Sequence, residues 1–428
     1  MIIDNLTLNA KNAKKASISL SGISTEKKNN ALKIISQRLY ENKEEIFKAN
    51  NEDIERSLAD NLAMPLIKRL KFDESKLNEV IDGINSLISL EDPIGKTLLA
   101  TQLDHDLELY RISCPIGLIG IIFESRPDAL VQISTLCLKS GNSVLLKGGS
   151  EARLTNRCLY EIIAAATNEA GIPDGWVNLL ESRAEVSEML KLDQYIDLII
   201  PRGSNDFVRY IMDNSRIPVL GHADGICHLY IDQGADVKKA VDITVDSKTQ
   251  YVAVCNALET LLINENIAQG VLPLIKDELE KRKVEIRGCE KTSKIISCIP
   301  ATDKDWKTEY LDYILSIKVV ENIDEAIEHI NTYGSGHTDV IISENKDNID
   351  TFLTYVDSGN VFVNCSTRFS DGFRYGFGAE VGISTNKIHA RGPVGLEGLV
   401  TYKYKVIGNG HLVADYAENR KTFKHRPL

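Results

Sequence analysis

The segment Val252-Ala253-Val254-Cys255-Asn256-Ala257-Leu258-Glu259-Thr260 carries one thiol among small residues, just ahead of an apolar run. A thiolate attacks acyl carbons when neighbouring charge or a dipole favours the anion. A cysteine between apolar residues is also a common core residue, so the window alone leaves both readings open. Four other clusters carry groups suited to anionic ligands: Ser125-Arg126, Lys147-Gly148-Gly149-Ser150, Arg202-Gly203-Ser204 and Asn364-Cys365-Ser366-Thr367-Arg368. Lysine and arginine supply charge, glycine allows close backbone approach, and free N–H groups at helix starts attract anions. The first three loops lack a G-x-G-x-x-G fingerprint, which argues against the usual Rossmann dinucleotide loop.

The elements that must position these groups show in the hydrophobic pattern. Ile116–Phe123, Ser143–Leu146, Trp176–Leu180 and Ile196–Ile200 are apolar runs, followed by polar or glycine-bearing loops and helical stretches. That recurrence predicts an α/β fold with a doubly wound parallel sheet, whose ligands bind beyond the carboxyl ends of the strands. A second α/β unit begins at Cys227–Asp232, after Gly221-His222-Ala223-Asp224-Gly225. Its helices are expected near 236–246, 266–281 and 323–333, and its strands near 258–263, 286, 318–320 and 340–342. Residues 24–98 read as a solvated helical layer capped at Ser24, and 360–382 as a polar loop. Alternation over Thr101–Ser113 predicts a hairpin with no core of its own, of the kind that pairs with another subunit. Thr401–Lys405 reads as an edge strand and Lys421–Leu428 as a frayed basic tail.

Composition narrows the classes. A chain of 428 residues exceeds what one core usually organises. A net charge of −11 argues against nucleic acid as the main partner. No apolar run approaches a membrane span and the N-terminus lacks a signal-peptide pattern, so the expected location is the cytoplasm. The eight cysteines are scattered without a C-x-x-C pair, which fits a reducing compartment and no disulfide framework. His222, Cys227 and His228 are close in sequence, but no second ligand pair follows at usual spacing, and no metal is expected.

Taken together, the loops resemble the γ-glutamyl phosphate reductase family, a branch of the aldehyde dehydrogenase superfamily. The resemblance is carried by V-E-N-I-D-E-A-I-E-H-I-N-T-Y-G-S-G-H-T-D-V-I at 320–341, Gly117–Pro127, Leu146–Ala152, Val254–Thr260, Gly378–Gly382 and His389–Pro393, in order along the chain. It implies an aldehyde-dehydrogenase-like architecture. The cofactor-binding domain would span 1–98 and 114–225, the catalytic domain 226–395, a β-flap for oligomerisation 99–113 and 396–412, and a tail 413–428. It implies reduction of L-glutamyl 5-phosphate to L-glutamate 5-semialdehyde, in proline biosynthesis. Cys255 would form a thioester, NADP(H) would carry the hydride, and a homodimer or homotetramer would assemble through the flap. With no kinase-like segment in the chain, the acyl phosphate would come from a separate glutamate 5-kinase, reached by transient contact.

The same resemblance distributes roles. Lys147, Gly148, Ser150, Arg202, Gly203, Ser204 and Glu309 would hold the cofactor, and Asn364, Ser366, Thr367 and Arg368 the substrate. The Cys255 backbone N–H would bind the oxyanion, assisted by Ser125 or Asn256; a contact from His337 or Asp339 is left open. Two departures carry physical content. The segment matching the superfamily's water-activating Glu is Gly221–Gly225, with no Glu, which suits a thioester reserved for hydride. Where NAD-preferring relatives carry a Glu three residues after the matching Lys, this chain has Ser150, which spares a 2′-phosphate like-charge repulsion. Another aldehyde dehydrogenase is the alternative within the class. A Cys–His hydrolase using His222 or His228, or a non-enzymatic nucleotide-binding protein, stands outside it.

Overall fold

The computed structural model describes residues 2–182, 184–222, 224–377 and 379–428; Ala223 and Gly378 of the motifs above lie outside that set. In chain order, a helical layer comes first: Ile2–Leu20, Thr25–Glu41, Lys43–Ala59, Met64–Leu70 and Glu74–Ser89. Ser24 caps the second of these, accepting from Lys27 N. Strands β1 (Thr97–Asp104) and β2 (Leu107–Pro115) form the predicted hairpin, turning at Asp106 with φ 56°. Such a left-handed turn position suits a short polar side chain.

Strands β3 (Leu118–Phe123), β4 (Ser143–Lys147), β5 (Val177–Leu180) and β6 (Leu198–Arg202) make a parallel sheet in the order β5-β4-β3-β6. Every residue of β3 and β4 is buried, as an uninterrupted apolar run requires. Alternate side chains feed two cores. Ile119, Ile121, Val144 and Leu146 pack with Leu32, Ile35 and Leu77 of the helical layer. Leu118, Ile122 and Leu145 pack on the other face with Leu6, Ala10 and Ala13. The strand order reverses between β3 and β6, so the loops after these strands flank a topological switch point. Ser204 N donates to Glu124 Oε2 across it at 3.3 Å.

A second, seven-stranded parallel sheet runs β10-β9-β11-β8-β7-β12-β13. Its strands are β7 (Cys227–Ile231), β8 (Leu258–Asn264), β9 (Glu285–Gly288), β10 (Ile299–Pro300), β11 (Ile314–Val320), β12 (Thr338–Ile342) and β13 (Asn360–Val363). It too is buried on both faces, with Leu261 and Ile263 in one core and Leu262 in the other. β13 falls within the stretch read as loop; register with β12 overrides its polar composition.

A short pair, β14 (Gly382–Ser384) and β15 (Gly392–Val394), continues the first core through Val381 and Val394. β16 (Val400–Ile407) is the expected edge strand, paired with β2. The tail is not frayed. β17 (Arg426–Pro427) pairs with β1, and Lys424 N and Leu428 N donate to the carbonyls of Leu103 and Ala100. Stacking of Tyr416 on Phe423 at 4.2 Å and the Lys424–Asp104 ion pair at 3.0 Å hold it there. These long-range partners are invisible in a basic composition. Among the described residues no helix is long and apolar enough to cross a membrane.

Candidate active site

Cys255 lies in the turn between the helix Val237–Thr249 and β8, half-buried. Gly225 is pressed against it: a Cβ there would sit 2.3 Å from the Cys255 carbonyl oxygen and 2.5 Å from its Cα. Glycine is therefore required by packing alone. From the start of β7, the Cys227 thiol donates to the same carbonyl at 3.2 Å, and burial raises Cys227 well above an ordinary thiol, which keeps the proton in place. One ring nitrogen of His222, one of His337 and Cys255 Sγ lie within 4.8 Å of one another. The imidazoles meet edge-on with centroids 5.0 Å apart. His222 Nδ1 bonds the Ile383 carbonyl at 2.9 Å, so that nitrogen carries the hydrogen; burial lowers the pKa of this ring. His337 is fully buried, with Nδ1 at 2.8 Å from Thr338 Oγ1 and Nε2 without a partner.

Two guanidinium groups complete the surroundings of the thiol. Arg202, the last residue of β6, is lowered by burial and by Arg126, against the opposing pull of Glu380, Asp128 and Cys255. Arg368 is lowered by burial and by Arg374, against the pull of Cys255 and Asp371. Both guanidiniums thus lie within electrostatic reach of Cys255, from different loops. The Arg368 loop is docked on the end of the helix that precedes Cys255: Arg368 Nε donates to Gln250 Oε1 at 2.9 Å, Thr367 N to Ser247 Oγ at 3.2 Å, and Ser247 Oγ to Ser366 Oγ at 3.1 Å. Asn256 joins it by donating to the Ser370 carbonyl at 2.8 Å. Asn256 Oδ1 and Thr367 Oγ1 are buried without partners, which costs stability unless a ligand meets them. Asn364 does not join this group. Its amide is used at both ends on the Ser343 backbone, at 3.0 and 2.9 Å, and its φ of 52° marks a framework turn.

The cofactor-type loops gather at the carboxyl ends of β3, β4 and β6. Lys147 is buried and its Nζ reaches the Gly148 carbonyl. Cβ atoms at Gly148, Gly149 and Gly203 would lie 2.1 Å from Asn156 Nδ2, 2.0 Å from Glu151 Oε1 and 2.8 Å from Glu124 Oε2. The backbone there is bare by necessity. Ser150 is exposed at the start of a short helix, while Glu151 is tied down, accepting from Ser125 N at 2.6 Å and Ser125 Oγ at 2.7 Å. Ser125, with φ 46°, is therefore anchored to this loop, not to the thiol turn. Glu309 links the two regions: it accepts from Asn205 Nδ2 at 2.5 Å and from the Gly225 N–H, and burial raises its pKa.

Of the clustered trio His222, Cys227 and His228, the structure separates the last: His228 N and Nδ1 face Asp339 Oδ1 at 2.8 and 3.2 Å. Asp339 is thereby structural, whereas His337 reaches the thiol. The roles of Cys227 and Gly225 were missed. Their signal was the identity of the residues that open β7, the neighbour of both β8 and β12.

A half-buried thiol at the amino ends of the seven-stranded sheet is thus joined in one chain to glycine-bearing loops at the switch point of the four-stranded sheet, and the chain belongs to the aldehyde dehydrogenase family, whose profile matches residues 4–295 and 292–382. Within that class the likeness is narrower. The chain is 69% identical to the γ-glutamyl phosphate reductase of Acetivibrio thermocellus over 415 residues, 97% of this chain and 96% of that protein. It is 67% identical to that of Pelotomaculum thermopropionicum over 419 residues, 98% and 96% of the two chains. The crystal structure of the Thermotoga maritima γ-glutamyl phosphate reductase superposes with a TM-score of 0.93 at 44% identity, covering 95% of this chain and 99% of that one. The chain belongs to the γ-glutamyl phosphate reductase family.

Proposed function

We propose that the chain reduces L-glutamyl 5-phosphate to L-glutamate 5-semialdehyde and phosphate, through a thioester on Cys255 and with NADPH as the reductant, in proline biosynthesis. The observation that carries this reading is that Cys255 lies within electrostatic reach of both Arg202 and Arg368, with loops whose glycines leave the backbone open at the facing switch point. Cys255 loses its proton to solvent and the thiolate attacks the acyl carbon, the bond from that carbon to the phosphate oxygen breaks, and phosphate leaves with the electron pair. Arg202 and Arg368 stabilise the charge on the departing anion. The Cys255 backbone N–H binds the oxyanion, and Asn256 fixes the turn against the Ser370 carbonyl. When bound, NADPH would supply a hydride to the acyl carbon; the carbon–sulfur bond then breaks, its electron pair returns to Cys255 as thiolate, and the aldehyde leaves.

The bare backbone at Gly148, Gly149 and Gly203 fits a dinucleotide. Lys147, Gly148, Ser150, Gly203 and Ser204 would hold it, with Glu309 toward the ribose. Exposed Ser150, and a Glu151 already occupied by Ser125, favour NADP(H) over NAD(H). Arg202, grouped with the cofactor loops in the sequence, is assigned here to the phosphate of the substrate. The absence of a Glu from Gly221–Gly225 removes the base that would activate water, which disfavours hydrolysis. One face of β16, carrying Tyr402, Tyr404 and Val406, the last two each 58% exposed, supports a homo-oligomer through the flap. Contact with a separate kinase in the cytoplasm follows from the reactivity of an acyl phosphate; a coupled flux unchanged on dilution of both proteins would argue against it.

The test runs the reaction backwards, with glutamate 5-semialdehyde, phosphate and NADP, following absorbance of the reduced cofactor. Turnover requiring phosphate, preferring NADP over NAD and lost in Cys255→Ser is expected. Turnover retained by Cys255→Ser would overturn the assignment.

A further inference from the structure

Three loops that are far apart in the chain bring one imidazole, one thiol and a second imidazole together, and the reductase chemistry above gives neither imidazole a task. We propose that a soft divalent cation, Zn2+ in the first instance, binds across His222, Cys255 and His337 and reversibly silences the thiol. Two nitrogens and a sulfur are the donor set such ions prefer. Their ligand atoms already lie within 4.8 Å of one another. A tetrahedral site holds donor atoms roughly 3.5 Å apart, so side-chain rotation of about an ångström closes it.

The second observation is the state of the two rings. His337 is 0% exposed, and its Nε2 has no partner, although its Nδ1 is beside Thr338 Oγ1. A buried ring nitrogen left bare calls for a ligand. His222 donates its Nδ1 hydrogen to the Ile383 carbonyl, which leaves the Nε2 lone pair free and the ring oriented. Imidazoles that bind metals are held in this way by a backbone carbonyl on the other nitrogen. Binding exchanges the thiol proton for the cation: the sulfur–hydrogen bond breaks, the proton goes to solvent, and sulfur and both nitrogens donate lone pairs. Arg202 and Arg368 repel a dication, so the site is weaker than a structural zinc site and is released by a chelator. The binding stands on geometry alone; only the inhibition rests on Cys255 being the nucleophile.

The experiment titrates the full chain with Zn2+ by calorimetry and with Co2+ by absorption, and maps Cys255 alkylation by iodoacetamide with and without Zn2+. Expected are one ion per chain, a sulfur-to-cobalt band absent in Cys255→Ser, protection of Cys255 from alkylation, and recovery of reductase turnover with EDTA. His222→Asn, which keeps a donor for the Ile383 carbonyl, and His337→Gln should each weaken binding about tenfold or more. Circular dichroism identifies a variant that fails to fold; the other variant and the wild-type alkylation map then decide. Absence of saturable binding, an affinity unchanged in the folded histidine variants, or an ion that leaves Cys255 open to alkylation would overturn the proposal. Binding and protection without any reductase turnover would sink the reductase reading while leaving the site intact.

Discussion

The two sheets reach the site from opposite strand ends and by different means. The four-stranded sheet offers the carboxyl ends of β3, β4 and β6, where the useful groups are bare backbone and the side chains of a few consecutive residues. The seven-stranded sheet offers the amino ends of β7, β8 and β12, where Cys227, Cys255 and His337 come together from positions 28 and 110 residues apart. Buried titratable groups collect in this second sheet. Glu259 of β8 forms a fully buried pair at 2.8 Å with Lys248 of the helix Val237–Thr249, and burial raises the Glu259 carboxyl even there; His228 of β7 and Asp339 of β12 are bonded to each other, with His329 of the helix Ile323–Tyr333 edge-on to His228. The first region is an open cradle for a ligand. The second is a rigid preorganised cluster, in which sub-ångström packing sets reactivity.

The sharpest break of this contrast is a pair of glycine substitutions. Gly225→Ala forces a Cβ onto the Cys255 backbone, and overpacking of that kind costs about 1–3 kcal/mol. Reverse turnover should collapse and the urea midpoint fall. Gly149→Ala meets only the far end of the Glu151 side chain, displacing it at the cost of its bonds from Ser125, so it should raise the cofactor KM and lower the midpoint less than Gly225→Ala; equal loss of stability in both would erase the distinction. Next in size, Arg368→Ala removes a charged donor, worth about 1.5–3 kcal/mol in such bonds, and should raise the KM for phosphate in the reverse direction roughly tenfold to a hundredfold. The KM for NADP should stay put.

Smaller still, Ser150→Glu places a carboxylate on the exposed cradle, and the ratio of NADP to NAD kcat/KM should fall by about tenfold, as like charge requires. The mildest effect is on stability against pH. Burial, then His228 and Lys318, push His329 down to about 2 in the folded protein, against about 6.5 in an unfolded chain. A depressed group stabilises fully above the unfolded value and ceases to as pH falls toward the folded one. Stability should thus drop below pH ~6.5 by at most ~1.4 kcal/mol per pH unit for this ring, read from chemical denaturation, and His329→Phe should flatten that slope.

The same contrast governs what was legible in the sequence. β3, β4, β5 and β6, with their loops, follow from apolar runs and adjacent polar residues, because local period and composition are local properties. The helix at Ile323–Tyr333 was read residue for residue. The thiol cluster was half legible. Cys255 and Arg368 stood out by type, but the approach of His337 depends on the order β8-β7-β12, which no local pattern encodes. Ser125 and Asn364 were read as ligand groups because of their loops, yet Glu151 and Ser343 take up their hydrogen bonds. The tail failed for the same reason: its partners, Leu103, Ala100 and Asp104, lie more than three hundred residues away.

The central claim is that Cys255 holds the acyl group until phosphate, and not water, removes it. It is tested by mixing enzyme, glutamate 5-semialdehyde and NADP without phosphate, and following reduced cofactor together with the mass of the Cys255 peptide. A burst of one reduced cofactor per chain, an acyl adduct on Cys255, and sustained turnover only after phosphate is added are expected. Sustained turnover without phosphate, or a burst that persists in Cys255→Ser, would contradict it.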